Sequence, residues 1–434
     1  MNYNEQSITE QKDMSDKQKK LFAIKVGNNK KWSIYLVDLL VVVNVFFNIF
    51  LPTSQNKVIY GVDRLIFVWA VLLLEVFLLM IHNKVHKLRL AGSVIGINVY
   101  MIIVTILAKD LYPDARVSLA RIVPIISLLI LCSIEIENYP NIDFMKAILS
   151  FISIVAIVWN ALIILRIPQI IDFTYNNYNQ YYDMCGYYQL VFGHKPVMSF
   201  GVHTYASFFY FLLFILCYAT YRTQSKTIYL FYCYMYSLFC LFCVSTSSII
   251  FFMIMVGVLV SDTRRFIDKK AFALIFLLIT AGFIIVYFNF NDLYSRIYQN
   301  VTSGSHSFSA RYSSSSIFDL NIDIIKRSLG IGYNIISSLD ISYGDSGYIV
   351  YLTMGNIPFM VALYYCILKF LNANIKMYKS LVLIAVFGFE IGIPGTFNYR
   401  FSYFIIFVVM YLGALKNVDN DKRETDVNTS SNTY

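Results

Sequence analysis

The sequence predicts an all-α, polytopic integral membrane protein with about twelve transmembrane helices and two large exterior loops. Three observations predict it. Of the 434 residues, 58% are hydrophobic and only 14% charged, where a soluble domain carries roughly 25% charge. The apolar residues fall in long runs. Strongly basic residues stand between alternate runs, as the positive-inside rule requires when both termini are cytoplasmic.

Residues 1–31 are polar and lysine-rich, with no apolar stretch of their own, and are expected to form a disordered cytoplasmic tail without a cleavable signal. A transmembrane region over 32–415 follows, because a spanning helix needs about 20 apolar residues. The first five runs are Trp32–Leu51, Val62–Ile81, Leu90–Leu107, Val117–Ile134 and Ala147–Leu165. After a first large loop, about 166–203, come Thr204–Thr220, Thr227–Val244, Ser247–Val260 and Ala271–Phe288. After a second, about 289–345, come Ser346–Leu368, Ser380–Pro394 and Phe401–Leu415. Residues 416–434 are again expected to be a disordered cytoplasmic tail.

Orientation follows from the cations. Lys84, Lys87 and Arg89, then Arg222 and Lys226, then Arg264, Arg265, Lys269 and Lys270, then Lys369, Lys376 and Lys379 all fall on one side if twelve runs cross. The same distribution removes the nucleic-acid reading that a net charge of +9 would otherwise invite. The connection after the fourth run is weaker, with Lys146 beside Glu135, Glu137 and Asp143, but acidic residues contribute little to orientation. Six of the seven cysteines lie within apolar runs and only Cys185 in an exterior loop, so no disulfide framework is implied. The Cys240/Cys243 spacing resembles a redox or metal pair, but its apolar flanks favour membrane packing.

The two large loops carry most of the polar chemistry. The first is rich in tyrosine: Tyr175, Tyr178, Tyr181, Tyr182, Tyr187 and Tyr188. Such rings stack on sugars, and they also favour membrane interfaces. In the second loop, 317–329 reads as an amphipathic helix on the outer membrane surface, with Ile317, Leu320, Ile324 and Ile325 at helical spacing and Gly330 as its terminator.

Charges inside apolar runs are costly and mark candidate sites. Arg121 lies a few residues into the fourth run near its exterior end, Asp38 and Glu75 lie toward the inner side, and Glu390 precedes a turn containing Gly392, Pro394 and Gly395 with Arg400 just beyond. Each is open to a structural reading as an ion-paired or snorkelling side chain. Outward cations at Arg166, His194, Lys195, His203, Arg296, Arg311, Lys326 and Arg327 suit an anionic substrate, and guanidinium groups hold phosphate oxygens bidentately. The histidines suit proton transfer near neutral pH. There is no phosphate-binding loop of the Walker type, no dinucleotide fingerprint and no zinc spacing, so no cofactor or metal is implied.

Over about fifty residues, 308–358, three elements stand in order: Ser309–Arg311, Gly330-Ile331-Gly332-Tyr333 and Asp345-Ser346-Gly347-Tyr348. Together with two large exterior loops and about twelve spans, this resembles the bacterial O-antigen and capsular polysaccharide repeat-unit polymerases of the Wzy type, which share their layout with O-antigen ligases. The resemblance implies a glycosyltransferase that joins oligosaccharide repeat units carried on undecaprenyl diphosphate. Substrate-binding residues would be Arg311, Arg121, Arg400, Gly330, Gly332 and Tyr333, and the acceptor-activating candidates Asp345, Glu390 and His203. Partners would be membrane lipids, a chain-length regulator and a flippase, with no nucleic acid. The rival classes are a lipid-linked oligosaccharide flippase, which usually shows two related halves that are not evident here, and an O-antigen ligase.

Overall fold

A computed structural model of the chain describes residues 23–25, 33–35, 39, 41–43, 45, 49–50, 64–179, 188–243, 245–263, 324, 328–336, 346–390, 396 and 399–431. In chain order the main elements are β1 (Ala23–Lys25), β2 (Ser33–Tyr35), α1 (Arg64–His82), β3 (Lys84–Val85), α2 (Ile97–Leu111, led in by a π-helical stretch Ala91–Gly96), β4 (Ala115–Val117), α3 (Leu119–Cys132) and β5 (Ile134–Glu135). They continue as α4 (Ile142–Ile164), α5 (Pro168–Thr174), α6 (His203–Gln224), α7 (Thr227–Cys243), α8 (Thr246–Thr263), β6 (Asn334–Ile336), α9 (Gly347–Asn374), α10 (Lys379–Phe389) and α11 (Tyr399–Ser431).

Helices dominate, and the strands form only two-residue or three-residue antiparallel pairs: β1 with β2, β3 with β5, β4 with β6. Among the described residues, four helical stretches are long and apolar enough to cross a membrane: Ala91–Leu111, Ile142–Ile164, His203–Gln224 and Gly347–Asn374. The expected runs from Val62–Ile81 to Ser247–Val260, and from Ser346–Leu368 to Phe401–Leu415, each overlap a described helix, with 62–63, 244 and 391–394 outside the described residues. Ala271–Phe288 and most of Trp32–Leu51 lie outside the described residues.

α6 is the hub. Its residues from Ala206 to Thr220 are buried on every face, so it has no lipid-facing or water-facing side. Apolar lipid offers no hydrophobic force to press helices together, so close packing must do this. Aromatic rings supply it: Phe208 stacks on Phe389 of α10 at 4.0 Å, Phe211 on Phe251 of α8 at 4.7 Å, and Phe209 meets Phe404 of α11 edge-on at 5.0 Å. Buried polar pairs add direction, with Tyr210 accepting from Asn160 of α4 at 2.7 Å and Tyr236 donating to Ser153 at 2.8 Å. The cysteines of α6 and α7 are buried thiols in this packing. α2, α4 and α9 are peripheral and expose Ile102, Ile103 and Ile106, Phe151 and Ile154, and Ile357 and Val361. Apolar rows of this kind are compatible with lipid contact.

Three stretches carry regular structure that the apolar runs do not announce. Residues 23–25 pair with 33–35 with Ile24 opposite Ile34 in register, so the first apolar run opens as a strand at Ser33. The C-terminal segment beyond 415 is helical to Ser431, because α11 enters it already nucleated by buried turns and each further residue adds one backbone bond. Within the tyrosine-rich stretch the described residues form α5 and the π-helical turns Tyr175–Asn179 and Tyr188–Phe192, and Tyr178 is buried, 5.4 Å from Trp159 and donating to the Phe50 carbonyl at 2.5 Å.

The bundle has two distinct ends. At one, β3–β5 is latched to the end of α9: Ile136 N–H donates to Asn374 Oδ1 at 2.6 Å, and Asn374 Nδ2 donates to the Ile134 carbonyl at 3.0 Å. Glu135 there meets His86 at 2.7 Å and Lys84 at 3.6 Å. Partial burial pushes its carboxyl up, but the His86 hydrogen bond and the charges of Lys84, His86 and Lys376 outweigh that and hold it below the usual carboxylate range. A depressed folded pKa contributes stability that is present above the unfolded value, about 4.3, and is lost as pH falls through the folded one. Glu135→Gln is therefore expected to lower the thermal midpoint of detergent-solubilised protein at pH 7, with the gap to wild type closing as pH falls below about 4. A gap independent of pH would contradict the latch.

Candidate functional site

The other end is organised by a break in α9. At Gly355 and Asn356 the backbone leaves helical geometry, with Asn356 at φ 56° and ψ −166°, and Pro358 follows without an N–H. The break changes where backbone bonds go. Ile357 N–H turns to its neighbour's Asn356 Oδ1 at 2.7 Å, and Pro358 has no donor for the carbonyl four residues back. Thr353 and Met354 carbonyls thereby lose their usual partners.

A segment from the second large loop meets them. Ile331 N–H donates to Thr353 O at 3.0 Å, and Gly332 N–H donates to Met354 O at 2.7 Å. Tyr100 Oη on the α2 side donates to Gly355 O at 2.9 Å, and Asn356 Nδ2 to Ser328 O at 3.2 Å. The segment is held equally to α2: Tyr333 N–H donates to Thr105 Oγ1 at 2.9 Å, Asn334 Nδ2 to Thr105 O at 2.9 Å, and Tyr333 Oη to Asn98 Oδ1 at 2.5 Å. Burial pushes the Tyr333 phenol up. β6 then pairs with β4, Arg116 opposite Ile335, and Ser118 N–H at the head of α3 donates to Tyr333 O at 3.0 Å. Ile324, within the expected amphipathic helix, packs with Ala115, Ile331 and Ile336.

Both glycines are needed for this fit. Gly330 has φ +110° and a Cβ there would sit 2.5 Å from Met354 O; Gly332 has φ +62° and a Cβ would sit 2.2 Å from Thr105 Oγ1. Their close approach is to protein backbone in α2 and α9.

The second feature is Glu390, fully buried at the end of α10. Its Oε1 accepts from Thr396 N–H at 2.5 Å and its Oε2 from Tyr364 Oη at 3.1 Å. Its carbonyl accepts from Gly347 N–H at 2.8 Å and Ser346 Oγ at 3.3 Å. Thr396 Oγ1 pairs with Tyr351 Oη at 2.5 Å, and Tyr348 Oη donates to Phe387 O at 2.9 Å. Three tyrosines of α9 thus gather around one carboxylate, with Tyr348 and Tyr351 rings 5.1 and 5.6 Å from that of Tyr364. At the head of α9 the Gly347 N–H is thus engaged by the Glu390 carbonyl.

Arg121 is 2% exposed in the first turn of α3 and Arg400 5% exposed in the first turn of α11. Arg400 Nη1 donates to Ser199 O at 2.8 Å, and its side chain lines a shallow cleft with Val45, Ile49, Phe200, Phe209, Tyr403 and Phe404. Guanidinium groups this buried in a helical bundle stand out as candidates for binding anions. His203 opens α6, its N–H donating to Gln189 Oε1 at 2.9 Å, and His194 lies before it at φ 44°. Glu75 is buried within α1.

One end of the bundle therefore holds Arg121, Gly330, Gly332, Tyr333, Glu390, Arg400 and His203, at the heads of α3, α6, α9 and α11 and the tail of α10. Arg311 and Asp345, with Asp38, Arg296, Lys326 and Arg327, lie outside the described residues. Sequence reasoning passed over Asn98, Thr105, Tyr351, Tyr364 and Thr396. They are polar residues at ordinary helical or turn positions, and only Pro358 beside Gly355-Asn356 signals a broken helix in advance.

Gly332→Ala is expected to destabilise by about 2–4 kcal/mol through left-handed strain and overpacking, lowering the thermal midpoint by several degrees. Gly257→Ala, where a Cβ meets nothing within 4 Å, should be neutral or slightly stabilising. Equal responses would contradict the inserted segment. No family model, curated protein or solved structure matches the chain, so its functional reading stands on these residues alone.

Proposed function

We propose that the chain polymerises lipid-diphosphate-linked oligosaccharide repeat units into surface polysaccharide at the outer face of the cytoplasmic membrane. In this reading about twelve helices cross the bilayer, both termini are cytoplasmic, and the end bearing Arg121, Glu390 and Arg400 faces outward. One observation supports it above others. The Gly330–Tyr333 segment, which resembles the polymerase element, is built into the same end of the bundle as two buried guanidinium groups and a buried carboxylate.

The chemistry is a glycosyl transfer. A hydroxyl oxygen of the acceptor repeat unit attacks the anomeric carbon of the donor glycan. The bond from that carbon to the diphosphate oxygen breaks, lipid diphosphate leaves, and the acceptor proton passes to a base. Charge grows on the leaving oxygens as the bond breaks, so fixed cations there stabilise the transition state more than the ground state. Arg311, with Arg121 and Arg400, takes that role. Asp345, His203 and Glu390 are the candidates for orienting or deprotonating the acceptor. Binding to a chain-length regulator and a flippase belongs to the same proposal, and the transfer asks for no cofactor.

Purified protein given one lipid-linked repeat unit should lengthen it, and Arg311→Ala should abolish long products while leaving the protein inserted and folded. Arg311→Lys should recover little, since an ammonium cannot reproduce a bidentate fork. Transfer only to a different glycolipid would mean a ligase, and translocation without transfer a flippase.

A further inference from the structure

A buried carboxylate beside the proposed site is an obvious candidate for the base. The geometry points elsewhere: we infer that Glu390 is a positioning residue, which locks the head of α9 and the turn leading to Arg400 and takes no proton during transfer. The inference rests on the polymerase reading and decides between its candidate bases.

A general base must come within about 2.6–3.2 Å, heavy atom to heavy atom, of the group whose proton it removes, or reach it through one water. Both carboxylate oxygens of Glu390 are already engaged by protein donors, Oε1 by Thr396 N–H at 2.5 Å and Oε2 by Tyr364 Oη at 3.1 Å, and the residue is 0% exposed. The bonds also reach α9 at two places and the turn before α11. Tyr364 anchors the side chain to the body of α9, Thr396 anchors it to the turn before α11, and the Glu390 carbonyl then holds Ser346 and Gly347. Thr396 is itself clamped by Tyr351 at 2.5 Å, and Arg400 enters α11 four residues later. Loosening residue 390 therefore loosens the segment that aims the Arg400 guanidinium. Misplacing a charge-stabilising group by about 1 Å costs on the order of 100-fold at most in rate.

The test uses the full chain in lipid nanodiscs with one lipid-linked repeat unit, measuring kcat and KM across pH. In Glu390→Gln, the amide oxygen still accepts from Thr396 N–H. The amide nitrogen donates to Tyr364, whose hydroxyl can accept as well as donate. This variant is expected to keep kcat within about threefold of wild type and the same pH profile, because geometry survives although the group can no longer take a proton. A loss of about 100-fold with disappearance of a limb of the profile would make Glu390 the base and overturn the inference. Glu390→Ala is expected to lower kcat roughly tenfold with the profile unmoved. Its loss should not add to that of Arg400→Ala in the double variant. Wild-type kcat in Glu390→Ala, or full additivity, would also overturn it. Should Glu390→Ala fail to fold, Tyr364→Phe removes one bond without a cavity, and an unchanged kcat there counts against the inference. Wild-type protein that never lengthens the repeat unit ends the polymerase reading itself, and this inference with it, irrespective of the variants.

Discussion

A bilayer cannot hydrogen-bond to exposed backbone, so a break in a helix at membrane depth must find its partners inside the protein or in a water-filled cavity. α9, long and apolar enough to cross a membrane, contains a break of this kind. Pro358 and the Asn356 side chain between them remove the usual donors for Thr353 and Met354, and each orphaned carbonyl in an apolar setting costs several kcal/mol. Ile331 and Gly332 supply the missing N–H groups. The arrangement of this end of the bundle follows from that requirement. The segment must lie between α2 and α9, it must be glycine at both close approaches, and β6 then emerges in register with β4 at the head of α3.

Glu390, at the end of α10, plays a comparable part at the head of α9. A helix start leaves orphan N–H groups, and here the end of α10 takes up that of Gly347 through a carbonyl while the side chain secures the neighbouring turn. A buried carboxylate with both oxygens engaged is held by geometry, and it holds the pieces around it. The two networks make the head of α9 a fixed frame. Cations that stabilise a leaving diphosphate gain most when they cannot move, since a preorganised field costs no rearrangement as the charge develops.

Much of this was legible in the sequence, and the limits have physical causes. Long apolar runs mark helices strongly, so α1 to α4 and α6 to α11 fall where the runs predict. Gly330 and Gly332 stood out as turn residues, yet what they approach is set by Thr105 and Met354, more than two hundred residues before and about twenty after. No local pattern carries that information. The tyrosine-rich stretch left sugar stacking and interface packing both open, because tyrosine suits both wet and buried settings. Trp159 and Phe173, from neighbouring helices, decided for burial of Tyr178. Arg121, Arg400 and Glu390 were visible as charges in apolar surroundings, but the tyrosines around Glu390 were lost among the 35 in the chain.

The account depends most on which way the broken-helix end faces. Arg116 in β4 is exposed at that end and Lys376, just past α9, is exposed at the other. Single cysteines at these two positions, in a Cys185→Ser background, can be treated with a membrane-impermeant maleimide on intact and permeabilised cells. The account predicts labelling at 116 in intact cells and at 376 only after permeabilisation. The reverse pattern would put Arg121, Glu390 and Arg400 on the cytoplasmic side and contradict it.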